Sequence, residues 1–238
     1  MPTNCQAAAA ATAGLKRPAS RGKSSQPGAG SVLMIQERFA SAYKLRLLQA
    51  IESIDLPLVD HAVAWFEDAR DANRQVFVCG NGGSASTASH FVCDVVKGAA
   101  SAAGKRFRIL ALNDNMATLT AYSNDVGYEA VFVEQLRNFA NRGDLFMALS
   151  GSGNSANVIR AMEYANATGC RTIALTGRDG GKLGPLAGLH INVAEPHMGR
   201  IEDAHMMICH MIAYALMDNR MGFPLTPSRS MLKVTSRP

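Results

Sequence analysis

Five short apolar runs punctuate the chain: 76–79 (VFVC), 109–112 (ILAL), 145–149 (LFMAL), 171–175 (RTIAL) and 190–193 (HINV). Helix-like segments fill most of the gaps between them, notably 84–97, 128–141 and 155–168. Strands that alternate with helices specify a parallel sheet covered on both faces, because a parallel crossover needs a helix and lays it on the sheet. The expected architecture is therefore α/β: a five-stranded parallel sheet in a Rossmann-like three-layer sandwich. Two helices should precede it, in MIQERFASAYKLRLLQAIESI and PLVDHAVAWFEDARDAN, where apolar residues recur at three and four spacing. Pro57 suits the first turn of the second. A last helix, about 200–218, closes the fold.

Composition sets the outer limits. The first 32 residues are rich in Ala, Ser, Gly and Pro and have almost no large apolar groups, too few to offset the entropy of ordering. They are expected to be a disordered tail. The alternatives are an Arg/Ser-rich transit peptide, or a true start at Met34. Residues 33–222 should form a single domain without internal repeat or boundary, and 223–238 a basic C-terminal tail. The net charge of +5 resides in those tails. Lys16, Arg17, Arg21 and Lys23, and Arg229, Lys233 and Arg237, have no acid among them, so the body is mildly acidic and offers no basic groove for nucleic acid. No apolar run approaches the 18 or so residues of a membrane span, and no secretory signal is evident. The five cysteines, Cys5, Cys79, Cys93, Cys170 and Cys209, are odd in number and never spaced C-x-x-C. That argues against a disulfide framework or a thiolate zinc site and suits a reducing cytoplasm.

Four of the five strands run into small or polar loops: GNGGS, NDN, SGSGNS and TGRDGG. In open α/β sheets ligands bind at the carboxyl ends of the strands, so the loops stand where a site belongs. In Gly80–Ser84 the glycines let backbone turn sharply and approach a ligand, Ser84 can cap the next helix, and that helix start attracts an anion. The loop matches neither the dinucleotide nor the Walker fingerprint. In Ser150–Ser155 three hydroxyls stand beside backbone N–H groups, a way to hold a phosphate monoester without Lys or Arg. His90 and Asp94 share a helix face at i,i+4. In the last helix Glu202, Met206 and His210 share a side. Glu202 and His210 are about 12 Å apart along an ideal axis, so only a metal or substrate could join them. His205 is the nearer partner of Glu202, and the plainer reading is a capping acid followed by core histidines. A di-metal bundle would need a second Glu-x-x-His, which is absent.

Taken in order, CGNGGSAS…HFVCD, SNDVGYE, LSGSGNSANVI, TGRDGG and IEDAHMMICH resemble a SIS (sugar isomerase) domain, in its phosphoheptose isomerase branch, from about Met34 to Asp218. The resemblance implies conversion of sedoheptulose 7-phosphate into D-glycero-D-manno-heptose 7-phosphate by a homotetramer with sites between subunits. It implies that Asn81, Gly82 and Gly83 line the substrate, that Asn124 and Asp125 contact the sugar chain, and that Ser150, Gly151, Ser152 and Ser155 grip the phosphate. His90, Asp94, Glu202 and His210 fall on the zinc and catalytic positions, with Asp94, Glu202 and His210 as the acid/base groups and Glu202 also against the substrate. Two of these depart from the branch: glutamate is usual at the place of Asp94, and glutamine at that of Glu202. The chemistry implied is aldose–ketose isomerisation, in which a carboxylate takes a proton beside the carbonyl while zinc or His210 steadies the enediolate. The alternative is a non-catalytic SIS module that binds a phosphosugar or a protein partner. No helix-turn-helix is evident, so neither nucleic acid nor membrane is an expected partner.

Overall fold

The computed structural model describes residues 29–99 and 104–218, with side chains from Arg38 to Met217. Of the tail expected over 1–32, residues 1–28 lie outside the described residues and 29–32 fall in the first helix; the basic tail expected over 223–238 lies outside them. The chain divides into two compact units, 1–40 and 41–238. The start of the first helix is the described part of the former, and everything below concerns the latter.

The elements in chain order are α1 (Ala29–Glu52), α2 (Leu56–Asp71), β1 (Gln75–Cys79), α3 (Gly83–Asp94), β2 (Arg108–Ala111), α4 (Met116–Asp125), α5 (Val133–Phe139), β3 (Leu145–Ser150), α6 (Ala156–Thr168), β4 (Arg171–Gly177), β5 (Leu189–Val193) and α7 (Met198–Asp218). A π-helical turn, Val95–Ala99, continues α3 beyond Asp94. Short 3-10 turns lie at Tyr128–Ala130 and Gly184–Leu186. All pairings are parallel and the strand order is β2-β1-β3-β4-β5. The expected five-stranded parallel sheet is thus present, and each strand lies within two residues of its expected place.

Alternation along the strands sorts the core into two layers, since successive side chains point to opposite faces. Val76 and Val78 of β1, Met147 of β3 and Ile173 of β4 face one way, onto Phe66, Phe91, Ile208 and Leu216 from α2, α3 and α7. Phe77, Phe146 and Ala174 face the other, onto Leu136 of α5 and Val158 and Met162 of α6. β3 is buried at all six positions, as the middle strand of a doubly covered sheet should be. Helix ends follow local rules. Asp55 caps α2 by accepting from the Leu58 N–H, with Pro57 in the first turn, and Gly169 ends α6 in the left-handed region.

One helix was not among those expected. α4 fully buries none of its residues; only Leu119 and Tyr122 pack, half-buried, against the core, too short an apolar stripe to stand out in the sequence. Its one legible signal is Asn115, whose side chain accepts from the Thr118 N–H as an N-cap.

Candidate active site

The strand order fixes where a cleft must open. From β1 the chain moves outward to β2, then returns past β1 to β3 and on to β5. The direction of winding therefore reverses between β1 and β3, and the loops at their carboxyl ends part at that point. Those loops are GNGGS and SGSGNS. A cleft of about 260 Å³ lies between them, lined by Asn81, Gly82, Gly83, Ser84, Ser150, Gly151, Ser152 and Ser155, with Met198 and Glu202 of α7 across from them.

Its floor consists of two helix starts. Gly82 is the N-cap of α3, at φ 55 and ψ −122, with no side-chain capping bond. That backbone is open to glycine and strained for any other residue. Ser84, expected as the cap, is instead inside the helix and buried. Ser155 is the N-cap of α6, and its hydroxyl also makes no capping bond; it lies 3.4 Å from the Ser150 hydroxyl. Two uncapped helix starts converge with three serine hydroxyls and no cation, which is the chemistry of a phosphate cradle built from dipoles. Gly83 is required for a different reason. A Cβ there would collide with the Glu202 carboxylate, with Oε2 only 2.6 Å away.

That contact, the His90–His210 pair and the closeness of Gly98 to Met217 show α3 and α7 running side by side in the same direction. Two turns beyond Gly83, His90 Nε2 and His210 Nε2 are 3.2 Å apart. Asp94 Oδ2 lies 3.3 Å from the first and 3.7 Å from the second. These three form a metal-capable cluster among the described residues. Glu202 is not part of it; two turns earlier on α7, it faces the cleft. Asp94 Oδ2 is buried and has no hydrogen-bond partner, a costly state for a carboxylate oxygen unless a ligand completes it. The triangle passes a geometric test as well: two donors bound at 2.0–2.1 Å to a tetrahedral zinc lie about 3.4 Å apart. Thiolate does not compete for this place. Burial, followed by the charge of Asp94, pushes the Cys209 thiol well up, so it stays protonated.

Other expected residues fall elsewhere. Asn124 and Asp125 end α4, where Asn124 Nδ2 donates to Asp125 Oδ1 at 2.7 Å. Asp125 borders a separate hollow of about 300 Å³ with Thr118, Tyr122 and Val126, so neither residue lines the phosphate cleft of its own chain. His205 does not pair with Glu202. Its Nε2 lies 3.0 Å from the Thr176 carbonyl beneath the sheet edge, it is 1 % exposed, and burial lowers its pKa to about 4. It is the core histidine, whereas His210 is half-exposed. Asn157 and Tyr128 were missed by the sequence reading. Both hold the Asn81 side chain: Asn157 exchanges two amide bonds with it at 2.9 and 3.0 Å, and Tyr128 Oη donates to its Oδ1 at 2.8 Å. Each stands inside a motif quoted above, but neither residue type signals a role without the contact.

Comparison with known proteins agrees with this geometry. Residues 39–177 match the SIS domain family. The phosphoheptose isomerase of Aliarcobacter butzleri is 36% identical over 181 residues, covering 76% of this chain and 94% of that protein. That of Helicobacter pylori (strain P12) is 35% identical over 179 residues, covering 75% and 92%. Among solved structures, the phosphoheptose isomerase of Neisseria gonorrhoeae superposes with a TM-score of 0.69 at 33% identity, covering 76% of this chain and 98% of that one. The Francisella tularensis phosphoheptose isomerase gives 0.70 at 25% identity, covering 79% and 98%. Match to the family model, identity across nearly the whole length of these relatives, and a shared fold lead to one conclusion: the chain belongs to the SIS-domain family and, within it, to the phosphoheptose isomerases.

Proposed function

We propose that the chain is a sugar-phosphate aldose–ketose isomerase that interconverts sedoheptulose 7-phosphate and D-glycero-D-manno-heptose 7-phosphate. The observation that carries this is the pairing of a phosphate cradle without Lys or Arg and an acid/base and metal-capable cluster two helical turns away, both shared by α3 and α7. The separation, about 10–12 Å along the helices, suits a substrate held by its phosphate at one end and reacting at the carbons of the other.

In this reading Ser150, Ser152, Ser155 and the α3 and α6 starts bind the phosphate, with Gly82, Gly83 and Gly151 allowing its close approach. Asn81 orients the sugar chain. His90, Asp94 and His210 would hold a divalent ion, with zinc the choice that fits two imidazoles and a carboxylate. When bound, that ion supplies Lewis-acid polarisation of the substrate's carbonyl and hydroxyl oxygens. Asp94 takes the proton from C1 of the ketose; the electron pair forms the C1–C2 double bond of an enediolate. His210 moves the proton between O1 and O2. Asp94 returns its proton to C2, leaving the aldehyde at C1. Glu202 faces the cleft, outside the cluster, and in this reading contacts the substrate toward its phosphate end.

Assembly belongs to the same reading. Tyr214 beside His210, Met198 at the cleft, and Leu45 and Leu48 on α1 are large apolar groups left exposed by one chain. Asn124 and Asp125 stand outside its own cleft. Both features support a homotetramer in which neighbouring subunits complete each site. No described helix is long and apolar enough to cross a membrane, in keeping with a cytoplasmic enzyme. The test is incubation of purified protein with ketose and aldose phosphates of five to seven carbons, with and without zinc. Zinc-dependent interconversion of the seven-carbon pair is expected; binding without turnover of any of them would refute catalysis.

A further inference from the structure

Asn81 is held more completely than a substrate-touching side chain needs for stability alone. Its Oδ1 accepts from Asn157 Nδ2 at 3.0 Å and from Tyr128 Oη at 2.8 Å, which uses both lone pairs of an amide oxygen. Its Nδ2 donates one hydrogen to Asn157 Oδ1 at 2.9 Å. The second hydrogen on Nδ2 has no partner among the described residues, and Asn81 lines the phosphate cleft. Asn157 is itself 2 % exposed, and its Oδ1 also accepts from the Val158 N–H at 2.9 Å. The amide pair therefore ties the β1 loop to the start of α6 across the point where the sheet reverses its winding.

Resting on the isomerase reading, we propose that Asn157 and Tyr128 are positioning residues. They fix the sense of the Asn81 amide, so that position 81 offers the cleft one N–H donor and no acceptor. The Val158 N–H is what breaks the symmetry. An amide pair alone could reverse, but a backbone N–H only donates, so it holds Asn157 Oδ1 as an acceptor and leaves Asn157 Nδ2 to donate to Asn81 Oδ1; the Tyr128 hydroxyl adds a second donor to that oxygen. An N–H held in this way meets an oxygen at the phosphate end of the substrate and fixes the line of the chain, so that its far carbons reach the cluster without reorganising. A free asparagine could equally well turn its oxygen to the cleft and repel the phosphate.

The full-length protein is compared with Y128F, N157L and N157D for turnover of sedoheptulose 7-phosphate, KM and thermal midpoint. Y128F removes one hydroxyl from a side chain that is 57 % exposed. It should lower kcat about three- to tenfold with the thermal midpoint unchanged. N157L frees the Asn81 amide and should lower kcat by about a hundredfold. N157D still accepts from Asn81 Nδ2 and, as a carboxylate with no donor of its own, keeps the sense. It should retain more kcat than N157L although its buried acid makes it the less stable of the two. Activity and stability ranked in opposite orders cannot arise from a purely structural role. Wild-type kcat in Y128F, or N157D no more active than N157L, would overturn the proposal. Should the wild-type protein turn over none of this substrate, the isomerase reading fails by itself. The proposal is then decided by a neutron crystal structure of the wild-type protein, which locates the amide hydrogens: it supports the proposal if Asn81 Oδ1 accepts from both Asn157 and Tyr128 and overturns it if the amide is reversed.

Discussion

The Asp94 carboxylate stands between two imidazoles with one oxygen buried and without a hydrogen bond. Its replacement by asparagine keeps size while removing charge. Turnover of Asp94→Asn should fall by about a hundredfold with KM changed less than about threefold, because the lost group acts in the reaction more than in binding. His90→Ala should lower zinc affinity in a chelator competition, and His210→Ala should abolish turnover while circular dichroism stays native; wild-type rates in either Asp94→Asn or His210→Ala would remove that residue from the chemistry. Asp94→Glu separates two histories: a pocket re-spaced around the shorter acid loses activity, whereas a weakened heptose isomerase gains it. His205 controls a different property. Its folded pKa of about 4 lies below the ordinary 6.5, so the unfolded chain binds the proton more readily. Stability is then complete above about pH 6.5 and falls as pH drops toward 4, by an amount on the order of 3 kcal/mol from this residue. Unfolding free energies from urea titrations at successive pH values should fall more steeply for wild type than for His205→Gln between those pH values.

Two elements, α3 and α7, carry the His90–Asp94–His210 cluster, and their contact tolerates little. Gly83→Ala sets a methyl group against the Glu202 carboxylate. It should displace that side chain, cutting turnover while the thermal midpoint moves by only a few degrees; unchanged kinetics would show that Glu202 is not needed where it lies. Phe91→Ala removes the ring that meets Phe66 edge-on beneath α3 and should cost about 3–5 kcal/mol in denaturant unfolding. At this scale the sequence was a good guide wherever burial left a period. Strands β1 to β5 were legible because each is a short apolar run between turn residues, and α7 because its stripe is apolar. α4 was not, since only Leu119 and Tyr122 reach the core and neither is fully buried. The loops that line the cleft were legible because clusters of glycine and serine follow the strands there. The Asn81–Asn157 pair joins residues 76 positions apart, and no local pattern records such a partnership. His205 and His210 look alike in the sequence; only the direction each faces from α7 separates a core histidine from a reactive one.

For the molecule as a whole, exposed Leu45, Leu48, Met198 and Tyr214 predict assembly. Light scattering at micromolar concentration should give a tetramer, and a monomer would exclude a site shared between subunits. Removal of residues 1–32 should leave that assembly and its activity intact. His90 and His210 are 120 positions apart yet occupy the same corner of the fold, and that distance imposes an order on the protein's birth. At ribosomal speed roughly ten seconds pass between the synthesis of the first histidine and that of the second. By the end of that interval the emerging chain has both loops of the cleft and two of the three groups of the cluster, but no wall opposite them. Completion of the cluster is therefore a closing act, in which the last helix to be made locks against the third.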